Sequence, residues 1–123
     1  MRPRILAVED LPEARVLLNH FLSKHYDVET VPGVEAALKI ASEQDFDLFL
    51  LDINLGGDQN GMDLLHLLRE SPQYHHTPAL AVTVHSMPWE TKMFFEAGFS
   101  GFVTKPFRQK ELLAAVEKVL SAA

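Results

Sequence analysis

Leu48-Phe49-Leu50-Leu51-Asp52 sets four consecutive apolar side chains directly before a carboxylate. Four apolar residues are too few for a helix and too continuous for a strand with one wet face. They read as a strand buried on both faces of a parallel sheet. Ile5-Leu6-Ala7-Val8 and Leu80-Ala81-Val82 have the same form, and weaker runs lie at residues 28–31 and at Phe102-Val103. Stretches with helical spacing separate them. Ala14, Leu17, Leu18, Phe21 and Leu22 follow the 3–4 period, as do Val34, Ala37, Leu38 and Ala41, and then Leu112, Leu113, Val116, Val119 and Leu120. Leu64, Leu65 and Leu68 mark a fourth helix, and Met93, Phe94 and Ala97 a fifth.

The punctuation agrees with this division. Pro12 and Pro88 stand where a first helical turn tolerates a missing N–H, and Gly98 after Glu96-Ala97 is a helix C-terminal signal. Gly56-Gly57-Asp58-Gln59-Asn60-Gly61 is a loop by composition. The pattern predicts an α/β, (βα)5 fold with strands near residues 4–8, 27–31, 48–52, 79–84 and 101–105. Strands alternating with helices of this length imply a doubly wound parallel sheet covered on both faces. Right-handed crossovers then align all strand C-termini along one edge, where ligands of such sheets bind.

Composition bounds the function. The chain has 123 residues, 47% hydrophobic and 23% charged, which suits one domain, 1–123, with one core. No apolar run approaches the roughly 18–20 residues of a membrane helix. Met1-Arg2-Pro3-Arg4 leads into an apolar run that stops at Glu9-Asp10, which argues against a secretory signal. The absence of cysteine excludes disulfides, a thiolate metal site and a cysteine nucleophile, and makes the cytoplasm the expected compartment. Seventeen acidic residues against 11 Lys and Arg give a formal charge of −6. No basic stripe is present, so direct nucleic-acid binding is not expected, nor is membrane insertion.

Four of the five apolar runs end in a chemically active residue: Glu9 and Asp10 after the first, Asp52 after the third, Thr83 after the fourth, and Lys105 after Phe102-Val103-Thr104. A parallel sheet brings them to one edge. Three carboxylates against one ammonium leave negative charge that a divalent cation with oxygen ligands balances, and Mg²⁺ suits one or two carboxylates plus waters and phosphate oxygens. A carboxylate can also attack phosphorus and become an acyl phosphate. Lys105 and the metal would neutralise the equatorial oxygens, and Thr83 would donate a hydrogen bond to the same group.

Glu9-Asp10, Asp52 within Leu51-Asp52-Ile53-Asn54-Leu55, Thr83, and Phe102-Val103-Thr104-Lys105-Pro106-Phe107, led in by residues 97–101, together resemble a response-regulator receiver domain over essentially the whole chain. The resemblance implies a flavodoxin-like sheet with strand order 2-1-3-4-5. It makes Asp52 the phosphoacceptor of a two-component phosphorelay. Glu9, Asp10, Asp52 and the backbone carbonyl of Asn54 would hold Mg²⁺, and Thr83 and Lys105 would bind phosphoryl oxygens. It implies a cis Lys105-Pro106 peptide that aims Lys105 into the site, X-Pro being the linkage where cis is cheap. Thr83 and Phe102 would form a two-state switch altering the surface of the fourth helix, fifth strand and fifth helix. The implied partners are a histidine kinase or phosphotransfer protein, a downstream output domain or protein, and a phosphorylation-linked homodimer. The domain would assist its own phosphorylation and slow dephosphorylation without being a turnover enzyme.

Two features depart from the family pattern. The loop after Asp52 lacks the usual Met-Pro and is one residue longer, and His85 is an uncommon occupant two residues after Thr83. Plainer roles stand beside each assignment: helix capping for Glu9 and Asp10, strand packing for Thr83 and Phe102, solvation for Lys105. His75-His76 reads as a loop pair rather than a metal site, His20, His25 and His66 as helix-surface residues, and Trp89 as a partly exposed first-turn residue. A haloacid-dehalogenase-type phosphohydrolase would place a second Asp where Asn54 stands and would need a cap. A flavin module would want a Ser/Thr/Gly phosphate loop where Glu9-Asp10-Leu11-Pro12 stands. A receiver-like docking module that is never phosphorylated is the remaining alternative.

Overall fold

The apolar runs and periodic stretches become strands and helices in strict alternation. The computed structural model describes residues 2–84 and 87–122. Its elements are β1 (Arg4–Val8), α1 (Pro12–Leu22), β2 (Asp27–Val31), α2 (Val34–Glu43), β3 (Leu48–Asp52), α3 (Gly61–Arg69), a 3-10 turn (Pro72–Tyr74), β4 (Ala79–Thr83), α4 (Pro88–Glu96), β5 (Gly101–Thr104) and α5 (Gln109–Ala122). All strand pairs are parallel, in the order β2-β1-β3-β4-β5.

Side chains alternate across the sheet with period two, and the core divides accordingly. Ile5, Ala7, Leu48, Leu50, Leu80, Val82 and Val103 pack against Leu18 and Leu22 of α1 and Leu112, Val116 and Val119 of α5. Leu6, Val8, Phe49, Leu51, Ala79 and Ala81 pack on the other face against α2, α3 and α4 through Ala37, Ala41, Leu64, Leu65, Leu68 and Phe94. The central strands β3 and β4 are buried at every residue, which is why their sequences read as unbroken apolar runs. At the edges, β2 keeps an exposed or half-buried pattern up to Val31.

Four boundaries differ from the expectation. β4 and β5 end at Thr83 and Thr104, one residue early. Val84 is already exposed, and although the Lys105 N–H donates to the Thr83 carbonyl at 2.7 Å, Pro106 has no N–H to extend the ladder. Gly61 belongs to α3 rather than to the loop. Asn60 caps that helix, its side chain accepting from the Asp63 N–H at 2.9 Å while Asp63 accepts from the Asn60 N–H at 2.9 Å. His25 lies beyond the end of α1, in the turn leading to β2.

Pro12 and Pro88 open α1 and α4 as expected, and Gly98 follows α4 at φ +108°, a left-handed conformation that favours glycine. Residues 72–74, just before the His75-His76 pair, form the 3-10 turn. It seats Tyr74 edge-on against Phe49 and brings its hydroxyl within 2.7 Å of the Ala41 and Gln44 carbonyls at the end of α2.

Candidate functional site: an acidic cleft at the sheet edge

The chain runs from β1 to β2 on one side and returns to β3 on the other, so the sheet divides at the carboxyl ends of β1 and β3. Such a switch point is where doubly wound sheets form clefts. Glu9, Asp10 and Asp52 stand at this position, and Thr83 and Lys105 arrive from β4 and β5 to line the same cleft of about 240 Å³. Sites for organic cofactors usually run to about 300–1,000 Å³, so the cleft is scaled to a small group rather than a flavin.

Parity along the strands sorts the side chains. Glu9, Asp52 and Lys105 continue the face of Ala7, Leu50 and Val103, and they meet. The Lys105 ammonium donates to Glu9 Oε2 at 3.0 Å and to Asp52 Oδ2 at 2.9 Å. Asp52 Oδ1 accepts the Asn54 N–H at 3.1 Å, so both acceptor oxygens have partners. Thr83 continues the opposite face and is buried at the cleft wall. Phe102, one strand away, is half-buried against the α4 side of the core, its ring edge-on to Phe95 at 6.4 Å.

The electrostatics follow from burial. Glu9 and Asp52 are 1% and 4% exposed. Loss of solvent, then the hydrogen bond and charge of Asp52, push the Glu9 carboxyl up to about 7 against the opposing pull of Lys105. Burial alone would lower the Lys105 ammonium, but its bonds to Asp52 and Glu9 carry it above the usual lysine range. One lysine therefore holds together two carboxyl groups that would otherwise repel.

Glu9, Asp10 and Asp52 each present a carboxylate oxygen within 4.8 Å of the others. Opposite corners of a Mg²⁺ octahedron lie about 4.2 Å apart, so this all-oxygen donor set fits a small hard cation after slight closure. The plainer capping role suggested for Glu9 is not made: Glu9 Oε1 accepts the Leu11 N–H at 3.2 Å, but Leu11 is itself the N-cap of α1, which has no side-chain cap.

Three contributors, Arg15, Gly56 and Gly61, were not anticipated from the sequence. Arg15, in the first turns of α1, donates from Nη1 to the carbonyls of Glu9 at 2.8 Å and Asp10 at 3.0 Å, fixing the backbone behind the acidic pair. A basic residue near a helix N-terminus, against the dipole, was the available signal. Gly61 approaches the backbone of Asp52 too closely for any Cβ, and a Cβ on Gly56 would press on the Asp10 carboxylate. The Lys105-Pro106 peptide is cis, as the resemblance implied. His75 and His76 are exposed with rings crossed at 86° and 6.3 Å, His20, His25 and His66 are exposed, and so is Trp89; His85 lies outside the described residues.

The family model for the response regulator receiver domain matches residues 5–117. The chain belongs to this receiver family. The heme response regulator HssR of Staphylococcus aureus is 31% identical over 116 residues, covering 94% of this receiver and 50% of HssR. The receiver thus spans about half the length of the curated relatives it matches. Chemotaxis protein CheY4 of Vibrio cholerae shares the fold at a TM-score of 0.91 and 29% identity, covering 97% of this chain and 99% of that one. The receiver domain of a signal transduction histidine kinase from Syntrophus aciditrophicus does so at 0.85 and 29%, covering 98% and 92%. Among the described residues, no helix of the receiver is long and apolar enough to cross a membrane.

Proposed function

We propose that residues 1–123 form one receiver domain acting as the phosphoacceptor switch of a two-component phosphorelay, with Asp52 as acceptor. The observation that carries this reading is the Lys105 bridge between Glu9 and Asp52, with the Asp10 carboxylate in the same cluster. A carboxylate oxygen of Asp52 attacks the phosphorus of a phosphohistidine; the P–N bond breaks and its electron pair returns to the imidazole. Lys105 moves from pairing with Asp52 to pairing with a phosphoryl oxygen, and the Thr83 hydroxyl donates to another. The Asn54 N–H on Oδ1 holds the plane of the acceptor. Glu9, Asp10, Asp52 and the Asn54 carbonyl would hold Mg²⁺. When bound, the ion supplies positive charge where negative charge develops on the transferring oxygens.

Phosphorylation replaces one negative oxygen pair with a larger, more highly charged group beside Thr83. Drawing Thr83 toward it opens space behind that side chain for Phe102, which packs between β5 and α4. The face of α4, β5 and α5 then changes for a partner. The donor is a histidine kinase or phosphotransfer protein, the receiver of the signal an output domain or protein, with homodimerisation on phosphorylation as one form of output. The domain works in the cytoplasm and is not a turnover enzyme.

Incubation with a small acyl-phosphate donor tests this reading. Intact mass should rise by one phosphoryl group only when Mg²⁺ is present, and not in Asp52→Asn. Failure to gain mass from either the small donor or a phosphorylated kinase partner would leave the unphosphorylated docking module as the better account.

A further inference from the structure

Glu9 and Asp52 are held by Lys105, but among the described residues the Asp10 carboxylate accepts no hydrogen bond and forms no ion pair. Only its backbone is tied down, by Arg15 on its carbonyl. The loop after β3 lies directly over this carboxylate. Gly56 sits at φ +74°, and a Cβ there would stand 2.9 Å from Asp10 Oδ2 and 3.9 Å from its Cγ.

We propose that Gly56 is a positioning residue for Asp10: the bare Cα of the lengthened loop walls the carboxylate into the cation cluster. The inference rests on the reading of Glu9, Asp10 and Asp52 as a Mg²⁺ site. The physical step is simple. A side chain at position 56 meets the mobile end of Asp10, so the conflict is relieved by rotating Asp10 rather than by rebuilding the loop. The ligand oxygen moves and cation affinity suffers, while the positive φ adds a separate backbone cost to folding that thermal unfolding reads. Residues that orient a metal ligand without touching the metal typically change affinity 10–100-fold when altered. Gly57, the next residue, has no atom within 4 Å of where its Cβ would stand and is not left-handed. It offers a control in the same loop.

Mg²⁺ titration of the unphosphorylated protein by calorimetry tests the assignment, with thermal unfolding in chelator to confirm folding. Wild type and Gly57→Ala should agree within about twofold, Asp10→Ala should lose binding, and Gly56→Ala should bind about tenfold or more weakly. Gly56→Asn carries the same Cβ on a residue that enters the left-handed region more readily, and it serves if the alanine variant does not fold. Unchanged affinity in a folded Gly56 variant, with Asp10→Ala inactive in binding, overturns the role of Gly56 alone. Equal weakening in Gly57→Ala overturns it too, as a general loop effect. A wild type that binds no Mg²⁺ overturns both this inference and the metal site beneath it.

Discussion

A Cβ on Gly61 would stand 2.4 Å from the backbone oxygen of Asp52. The first turn of α3 is thus pressed onto the main chain of the acceptor residue, with the Gly61 N–H donating to the Ile53 carbonyl at 2.9 Å. Only glycine permits that approach, and backbone atoms on both sides leave little room to yield.

Gly61→Ala is therefore expected to destabilise the fold by about 1–3 kcal/mol, the usual cost of forcing an extra carbon into a packed site. Urea denaturation measures it. Because the displaced atoms belong to Asp52 and Ile53, acyl-phosphate labelling should slow even where the variant remains folded.

The Glu9 carboxyl titrates at about 7 instead of 4.5, chiefly because it is buried and secondly because Asp52 adjoins it. The folded chain keeps a proton that the unfolded chain has already released. Stability of the metal-free protein should therefore fall as pH rises through the window from 4.5 to about 7, since there the native state binds more protons. Urea midpoints in chelator should decline across this range and flatten in Glu9→Gln. Identical slopes in the two proteins would contradict the assignment.

Lys105 neutralises the cluster in the absence of a cation, and so competes with one. Lys105→Met should bind Mg²⁺ more tightly than wild type while accepting a phosphoryl group on the order of 10²-fold more slowly, the usual loss when one charge-stabilising donor is removed. Calorimetry and a labelling time course separate the two effects. A parallel loss of both would show that the lysine holds the site together rather than serving the transfer.

Tyr74 shows why some of the structure was not legible. Nothing in Pro72-Gln73-Tyr74 announces that its hydroxyl closes the end of α2, some thirty residues earlier. Tyr74→Phe should cost about 1–3 kcal/mol by leaving a buried carbonyl without its donor, readable as a lowered urea midpoint. The same limit applies to Arg15, Gly56 and Gly61, whose roles arise from contacts that local pattern does not encode. The residues that were legible share one property. Ile5–Val8, Leu48–Leu51 and Leu80–Val82 are buried on both faces, so burial itself wrote the unbroken apolar runs into the sequence. A polar residue closing such a run then has to lie at the sheet edge, which is how Glu9, Asp52 and Thr83 could be placed together beforehand. Phe102 and Lys105 lie on and just after the edge strand β5, where the apolar signal is shorter, and their placement leaned on the resemblance.

The central claim is that Asp52 carries the phosphoryl group. The most direct measurement is to label the protein with a small acyl phosphate and Mg²⁺, reduce the acyl phosphate with borohydride, and sequence the peptides by mass spectrometry. Reduction converts the labelled aspartate to homoserine. The account expects homoserine at position 52 and nowhere else, dependent on Mg²⁺. Homoserine at Asp10 or another carboxylate, with Asp52 unmodified, would contradict it.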